Sequence, residues 1–172
     1  MLHSDNKVFL HPGEFFFMKE AAHVHTILGS CIAITLWHPK LHIGGMCHFT
    51  LPKNPHKMHK STTLDGRYAD DVLQMFKQAT KKFGTSISDY DAKIFGGGNM
   101  IRTEGQNIED SIGSKNAAAA MQLLMEENVP IQVAHVGEFG HRRIVFDVDS
   151  GDVWVRHTEM SGARLGSING KI

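Results

Sequence analysis

The chain has 172 residues, of which 41% are hydrophobic and 21% charged, as is typical of one globular domain with a sizeable core. Its 18 basic residues balance 18 acidic ones, so no overall charge draws it onto nucleic acid or an anionic membrane. No window approaches the roughly 18 uninterrupted apolar residues of a membrane span, which argues against insertion into a bilayer. The two cysteines, Cys31 and Cys47, lack C-x-x-C spacing and favour a reducing compartment, so we expect a soluble cytoplasmic protein.

Alternating apolar residues predict extended segments in the first third of the chain, at residues 8–10, 14–19, 31–36 and 43–51. The last two are separated by a turn around Pro39 and Lys40, a spacing that favours antiparallel neighbours. Residues 53–66 are polar and rich in turn formers, which predicts a mobile loop that lies over a site.

Two helices are predicted in the rest of the chain. Apolar residues at helical spacing run over residues 68–83, and Gly84 is well placed to end that helix. The second helix runs over residues 117–128, with Ser114 as its N-cap and Pro130 beyond its end. Further strands are predicted at residues 92–95, 131–136, 143–148 and 153–156, the last two joined as a hairpin.

The order of these elements predicts an α/β domain. We expect a layered sandwich over residues 1–160, in which a mixed, largely antiparallel sheet packs against the two main helices. Residues 161–172 are rich in Gly and Ser, and we expect a flexible C-terminal tail there.

Cys31 is the first candidate for chemistry, because it follows a Gly-Ser pair at the start of a predicted strand. Gly29 allows another chain to approach the backbone closely, and the nearby amide N–H groups could stabilise an oxyanion. The simpler interpretation is that Cys31 is a small buried residue.

His48 lies on the next predicted strand and is a candidate general base for that thiol. A thiolate–imidazolium pair would lower the pKa of the cysteine below its free value of about 8.5 and give a nucleophile at neutral pH. Since side chains alternate along a strand, only one of Cys47 and His48 can share a face with Cys31. A third group usually orients the base, and Thr26 or another hydroxyl could accept from the imidazole.

A zinc site is the main alternative from a different class. Its candidate ligands are cysteines and histidines of the first 60 residues, namely Cys31, His42, Cys47, His48, His56 and His59. Their spacing fits no closed zinc site, so we expect no metal. The run from Gly96 to Asn99 lacks the phosphate-loop pattern and is interpreted as a close-packed turn at the edge of the site.

Several ordered motifs together resemble the chemoreceptor glutamine deamidases of the CheD family. The matching runs span roughly residues 7–157 and lie at residues 26–34, 43–52, 68–70, 92–100, 112–116 and 140–145. The resemblance implies a three-layer α/β fold similar to that of bacterial deamidating toxins. It also implies that Cys31 is the nucleophile, His48 the general base and Thr26 the supporting hydroxyl.

The implied activity is that of a protein-glutamine glutaminase. Such an enzyme converts receptor glutamines to glutamate through a cysteine thioester, without a cofactor, and the same route would serve glutamate methyl esters. Gly29, Ser30, Gly97 and Gly98 are then candidates for the site wall or for substrate contact. The implied partners are the cytoplasmic domains of methyl-accepting chemoreceptors and a response-regulator phosphatase of the CheC type. An adaptor that binds either partner without catalysis is the alternative.

Overall fold

The computed structural model describes residues 6–57, 63–101, 105, 107–159 and 167–172. The described chain forms ten strands and two α-helices, with short 3-10 turns at Ile87–Asp89 and Ile108–Asp110. In chain order these are β1 Lys7–Phe9, β2 Phe15–Met18, β3 His23–Leu28, β4 Ile32–Trp37, β5 Gly44–Cys47, α1 Ala69–Lys82, β6 Asp91–Gly96, α2 Ile112–Glu126, β7 Ile131–Val136, β8 His141–Asp147, β9 Val153–Thr158 and β10 Ser167–Lys171. No helix in these ranges is both long and apolar enough to cross a membrane.

The strands are divided between two mixed sheets. The first sheet has the order β1-β3-β8-β9-β10 and the second the order β2-β5-β4-β6-β7. The pairs β1–β3 and β6–β7 are parallel, and the other pairs are antiparallel. One core cluster joins α1 and α2 to one face of the second sheet, and another joins the opposite face to the first sheet. The predicted layered α/β fold is confirmed, with helices, second sheet and first sheet as its three layers.

Strand β4 lies at the centre of this arrangement and is buried on both faces. Ile32 and Ile34 pack toward the helices, whereas Ala33 joins the core between the sheets. Its neighbour β5 contains Gly45, where an added Cβ would overlap the ring of Phe17 on β2. Small residues such as Ala33 and Gly45 therefore let β2, β5 and β4 pack closely, together with the layers on both faces, around the segments that carry Cys31 and His48.

Two sequence predictions need correction. The second helix begins at Ile112, and its N-cap is Ser111, which accepts a hydrogen bond of 3.2 Å from the amide of Ser114. Ser114 was therefore wrongly predicted as the cap, because its hydroxyl turns back to the Ile108 carbonyl at 2.8 Å. Strand β3 was not predicted, although its alternate residues are buried against the second sheet.

Two predicted flexible segments are described only in part. Residues 53–57 and 63–66 form no helix and no extended strand, and residues 58–62 lie outside the described residues. In the C-terminal segment, Ser167–Lys171 forms β10, which pairs with β9, and residues 161–166 lie outside the description.

Candidate active site

The last antiparallel residue pair beside β4 joins Ile32 to Phe49, which follows the end of β5. Cys31 and His48 are the residues that precede Ile32 and Phe49 in the chain. Ile32 and Phe49 exchange backbone hydrogen bonds of 3.0 and 2.9 Å, which continues the β4–β5 register. In this register Cys31 and His48 share a face with Ala33, the face toward the first sheet, because side chains alternate along a strand. They are diagonal neighbours, a relation in which Cα atoms lie about 7–8 Å apart. Each lies one residue outside a regular strand.

Thr26, on β3 of the first sheet, contacts the imidazole across the space between the sheets. Its Oγ1 lies 2.7 Å from His48 Nδ1 and also donates to the Leu10 carbonyl oxygen at 2.8 Å. Since the single hydroxyl proton is used on that carbonyl, Oγ1 must accept from His48, and the imidazole carries its proton on Nδ1. The lone pair of the neutral ring is therefore on Nε2.

That Nε2 atom is buried and forms no hydrogen bond with any described residue, Cys31 included. A buried polar atom without a partner is rare and points to strain or to chemistry. The structure thus brings Thr26 and His48 into direct contact and places Cys31 on the same face. Catalytic hydrogen bonds often tighten only when substrate binds.

Burial shifts the pKa values of both reactive groups toward their neutral forms. It lowers the pKa of His48 to about 4, with a smaller contribution from His11, and it raises the pKa of the Cys31 thiol. The backbone N–H of Cys31 opposes the second effect, since it lowers the pKa of its own thiol. Desolvation therefore disfavours both charges of the predicted thiolate–imidazolium pair in the free protein, and the ion pair stays a prediction.

Cys47 occupies the opposite face of the same strand and lies in the core beside the helices. Its sulfur accepts a hydrogen bond of 3.3 Å from the amide of Ile34, and burial raises its pKa to about 12. A buried thiol of this kind is inert, so Cys31 is the one of the two cysteines that remains a candidate nucleophile.

The turn after β6 holds the backbone of Cys31 from one side. The amide of Gly97 donates to the Cys31 carbonyl at 2.9 Å, and the amide of Gly98 donates to the Gly29 carbonyl at 2.9 Å. Gly96 has a φ of 110°, and a Cβ there would overlap the Cys31 carbonyl oxygen. These glycines let the turn approach the Cys31 loop closely. The roles of Gly29, Ser30, Gly97 and Gly98 as site wall or in substrate contact stay predictions.

Two further residues support the site and were not identified from the sequence: Asn116 holds the backbone beside Cys31, and Arg142 holds the glycine turn. Asn116 on α2 is fully buried and donates to main-chain carbonyls beside Cys31, and Arg142 on β8 is 1% exposed. The Arg142 guanidinium donates to Gly96 O at 3.1 Å and to Gly137 O at 2.8 Å. These two hydrogen bonds join the end of β6 to the segment that follows β7. The sequence signal that could have marked Arg142 as buried is the alternation of side chains along β8, which places it on the core face of that strand.

The described candidate zinc ligands do not form one cluster. Cys47 is sealed in the core, His48 Nδ1 is bonded to Thr26, and His42 lies on an exposed turn. His59 lies outside the described residues. Within the described part of the chain, no three His, Cys, Asp or Glu side chains are grouped to hold a metal ion.

Alkylation of the two thiols tests the charge state of the site. We expect the rate at which iodoacetamide labels Cys31 to rise with pH to a midpoint above that of an ordinary thiol, because burial raises its pKa. Cys47 should remain unlabelled while the protein is folded. Peptide mass spectrometry of timed samples over about pH 5 to 10 measures both rates. A plateau already reached at about pH 6, and lost in His48→Ala, would instead reveal an ion pair.

Comparison with known proteins gives the family. A family model described as CheD chemotactic sensory transduction matches residues 50–157. A probable chemoreceptor glutamine deamidase CheD 3 of Dechloromonas aromatica is 41% identical over 165 residues, which cover 96% of this chain and 95% of the relative. A probable chemoreceptor glutamine deamidase CheD of Pseudomonas syringae pv. tomato is 42% identical over 152 residues, or 88% of this chain and 89% of the relative. The chain belongs to the CheD family.

Proposed function

We propose that this chain is a protein-glutamine deamidase that converts glutamine side chains in the cytoplasmic domains of chemoreceptors to glutamate. Its relatives are named as probable chemoreceptor glutamine deamidases. The observation that carries the proposal is the bond between Thr26 Oγ1 and His48 Nδ1, which leaves Nε2 as a proton acceptor on the face of Cys31. A protein that acts on these domains works in the cytoplasm.

In the first step, Cys31 Sγ attacks the side-chain amide carbon of the glutamine while His48 Nε2 takes the thiol proton. The carbonyl oxygen becomes an oxyanion as the S–C bond forms. When the carbonyl reforms, the C–N bond breaks, and the amine leaves as ammonia with the proton from His48. The product of this half-reaction is a thioester between Cys31 and the substrate.

In the second step, water replaces the sulfur. His48 Nε2 takes a proton from the water as its oxygen attacks the thioester carbonyl, and the Cys31 thiol leaves with that proton. The net reaction consumes one water and releases ammonia and glutamate, so it needs no other co-reactant. A glutamate methyl ester would follow the same route, with methanol as the leaving group.

The backbone N–H of Cys31 is the candidate donor to the oxyanion. This N–H lowers the pKa of its own thiol, so it already interacts favourably with negative charge at the sulfur. One such donor typically contributes about 10²- to 10³-fold in kcat.

The product adds a negative charge to the receptor. New repulsion or pairing along a helix can shift helix packing, which gives deamidation a route to a change in signalling. A phosphatase of the CheC type is the second partner that the family likeness suggests. An adaptor without catalysis would keep its binding when the thiol is removed.

Incubation with a receptor cytoplasmic fragment tests the proposal. The native protein should release ammonia and convert specific glutamines to glutamate, and Cys31→Ala and His48→Ala should lose about 10²- to 10⁴-fold or more of this rate. Peptide mass spectrometry and an ammonia assay measure the two products. Cys47→Ala and His42→Ala are matched controls that remove the same side chains outside the site, and both should remain active. Equal activity of Cys31→Ala and the native protein would reject the mechanism.

Replacement of Thr26 tests the orientation of the base. Thr26→Val keeps the shape of the side chain but leaves the Nδ1–H of His48 and the Leu10 carbonyl without a partner. Each unpaired group costs about 1–3 kcal/mol, and the ring is then free to carry its proton on Nε2, so we expect kcat to fall about 10- to 100-fold. Thr26→Ser keeps the hydroxyl and should stay near the native kcat. Native deamidation rates in Thr26→Val would contradict this role.

A further inference from the structure

We propose that Asn116 is a positioning residue that holds the main chain of Cys31 in line with the strand that carries His48. The inference rests on the proposed function for its effect on the reaction rate. The amide of Asn116 donates to two backbone carbonyls, and through them it would act on the two reactive groups.

Those carbonyls lie where the β4–β5 ladder ends. Beyond the Ile32–Phe49 pair the chain after β5 changes partner, since the amides of Thr50 and Leu51 both donate to the Arg67 carbonyl, at 2.8 and 3.1 Å. The ladder therefore supplies no donor from these amides to Ser30, the residue that would face Leu51 if the register continued.

The Asn116 amide supplies the donor to Ser30 O that the ladder lacks. Its Nδ2 donates to Ser30 O at 3.0 Å and to Thr50 O at 2.9 Å, and the side chain is fully buried. Ser30 immediately precedes Cys31, and Thr50 follows His48 by two residues. One planar amide thus bridges the segment of the nucleophile and the segment of the base.

Close packing fixes where that amide lies. One turn earlier on α2, a Cβ at Gly113 would overlap the Gly97 carbonyl oxygen, and at Gly97 a Cβ would lie 3.3 Å from Ala117. Gly97 itself donates to the Cys31 carbonyl at 2.9 Å. The Cys31 segment is therefore held from two directions, by Asn116 at Ser30 O and by the glycine turn at Cys31 O.

The other end of the Asn116 side chain suggests more than a stabilising role. Its Oδ1 is buried and bonds to no described protein group. The two hydrogen bonds that this side chain forms with described residues therefore both run to the segments of the candidate site. Displacement of a reacting group by about 1 Å can cost 10²-fold in rate, so the position of this backbone matters to catalysis.

Two substitutions remove the donors in different ways. Asn116→Leu keeps a branched side chain without a polar atom, and Asn116→Ala removes the side chain. Leu124→Ala is the matched control, since Leu124 is fully buried on the same helix and its loss should lower the Tm without touching either carbonyl.

We expect both Asn116 variants to lose about tenfold or more in kcat on the receptor fragment while KM changes less than about twofold. Iodoacetamide should label Cys31 faster than in the native protein, because the released loop exposes the thiol, while Cys47 stays protected. Fast Cys31 labelling with slow deamidation is a combination that loss of stability alone does not give. Leu124→Ala should leave kcat and Cys31 labelling near native values at a comparable fall in Tm.

Native kcat and native Cys31 labelling in Asn116→Leu would overturn the inference. So would the same loss of kcat in Leu124→Ala at an equal fall in Tm, since the effect would then follow stability. If the native protein converts no receptor glutamine, the proposed function fails, and Cys31 labelling with Cys47 as the internal reference still decides the role of Asn116.

Discussion

The hydrogen bond between Thr26 Oγ1 and His48 Nδ1 is the interaction on which the rest of the candidate site depends. It crosses from the first sheet to the second, so it exists only because the two sheets pack face to face at this point. The hydroxyl of Thr26 donates its hydrogen bond to the Leu10 carbonyl oxygen, so the oxygen of Thr26 must accept from His48. An imidazole in the other tautomer would present an N–H toward the thiol and could not receive its proton.

The burial that holds this ring also sets the charge state of the site. Desolvation lowers the pKa of His48 to about 4 and raises the pKa of Cys31, so burial favours the neutral form of both groups in the free protein. In the proposed mechanism, proton transfer accompanies attack on the substrate, and the charge that develops must be met by fixed dipoles. The backbone N–H of Cys31 is the candidate for such a dipole, and the glycine turn and α2 hold the backbone of its segment.

The sequence predicted the parts of the fold that follow from local patterns. Both long helices, the last hairpin and the strand after Cys31 carry clear periodicity, and the structure has them within a few residues. Strand β3 was missed because Thr26 interrupts its apolar alternation, and that polar residue is inward because it binds His48. Asn116 donates to carbonyls far along the chain, so no local pattern predicts its contacts. For Arg142, alternation marks an inward position but does not identify the Gly96 carbonyl that it binds.

Nitrogen NMR of histidine-labelled protein tests the central claim most directly, because it reads the protonation of each ring atom of His48. The signal is assigned by its loss in His48→Ala. We predict that Nδ1 carries the proton, that Nε2 shows the shift of an unprotonated nitrogen, and that neither titrates until the pH falls toward about 4. A proton on Nε2 at neutral pH, or titration near the ordinary histidine value, would contradict the account.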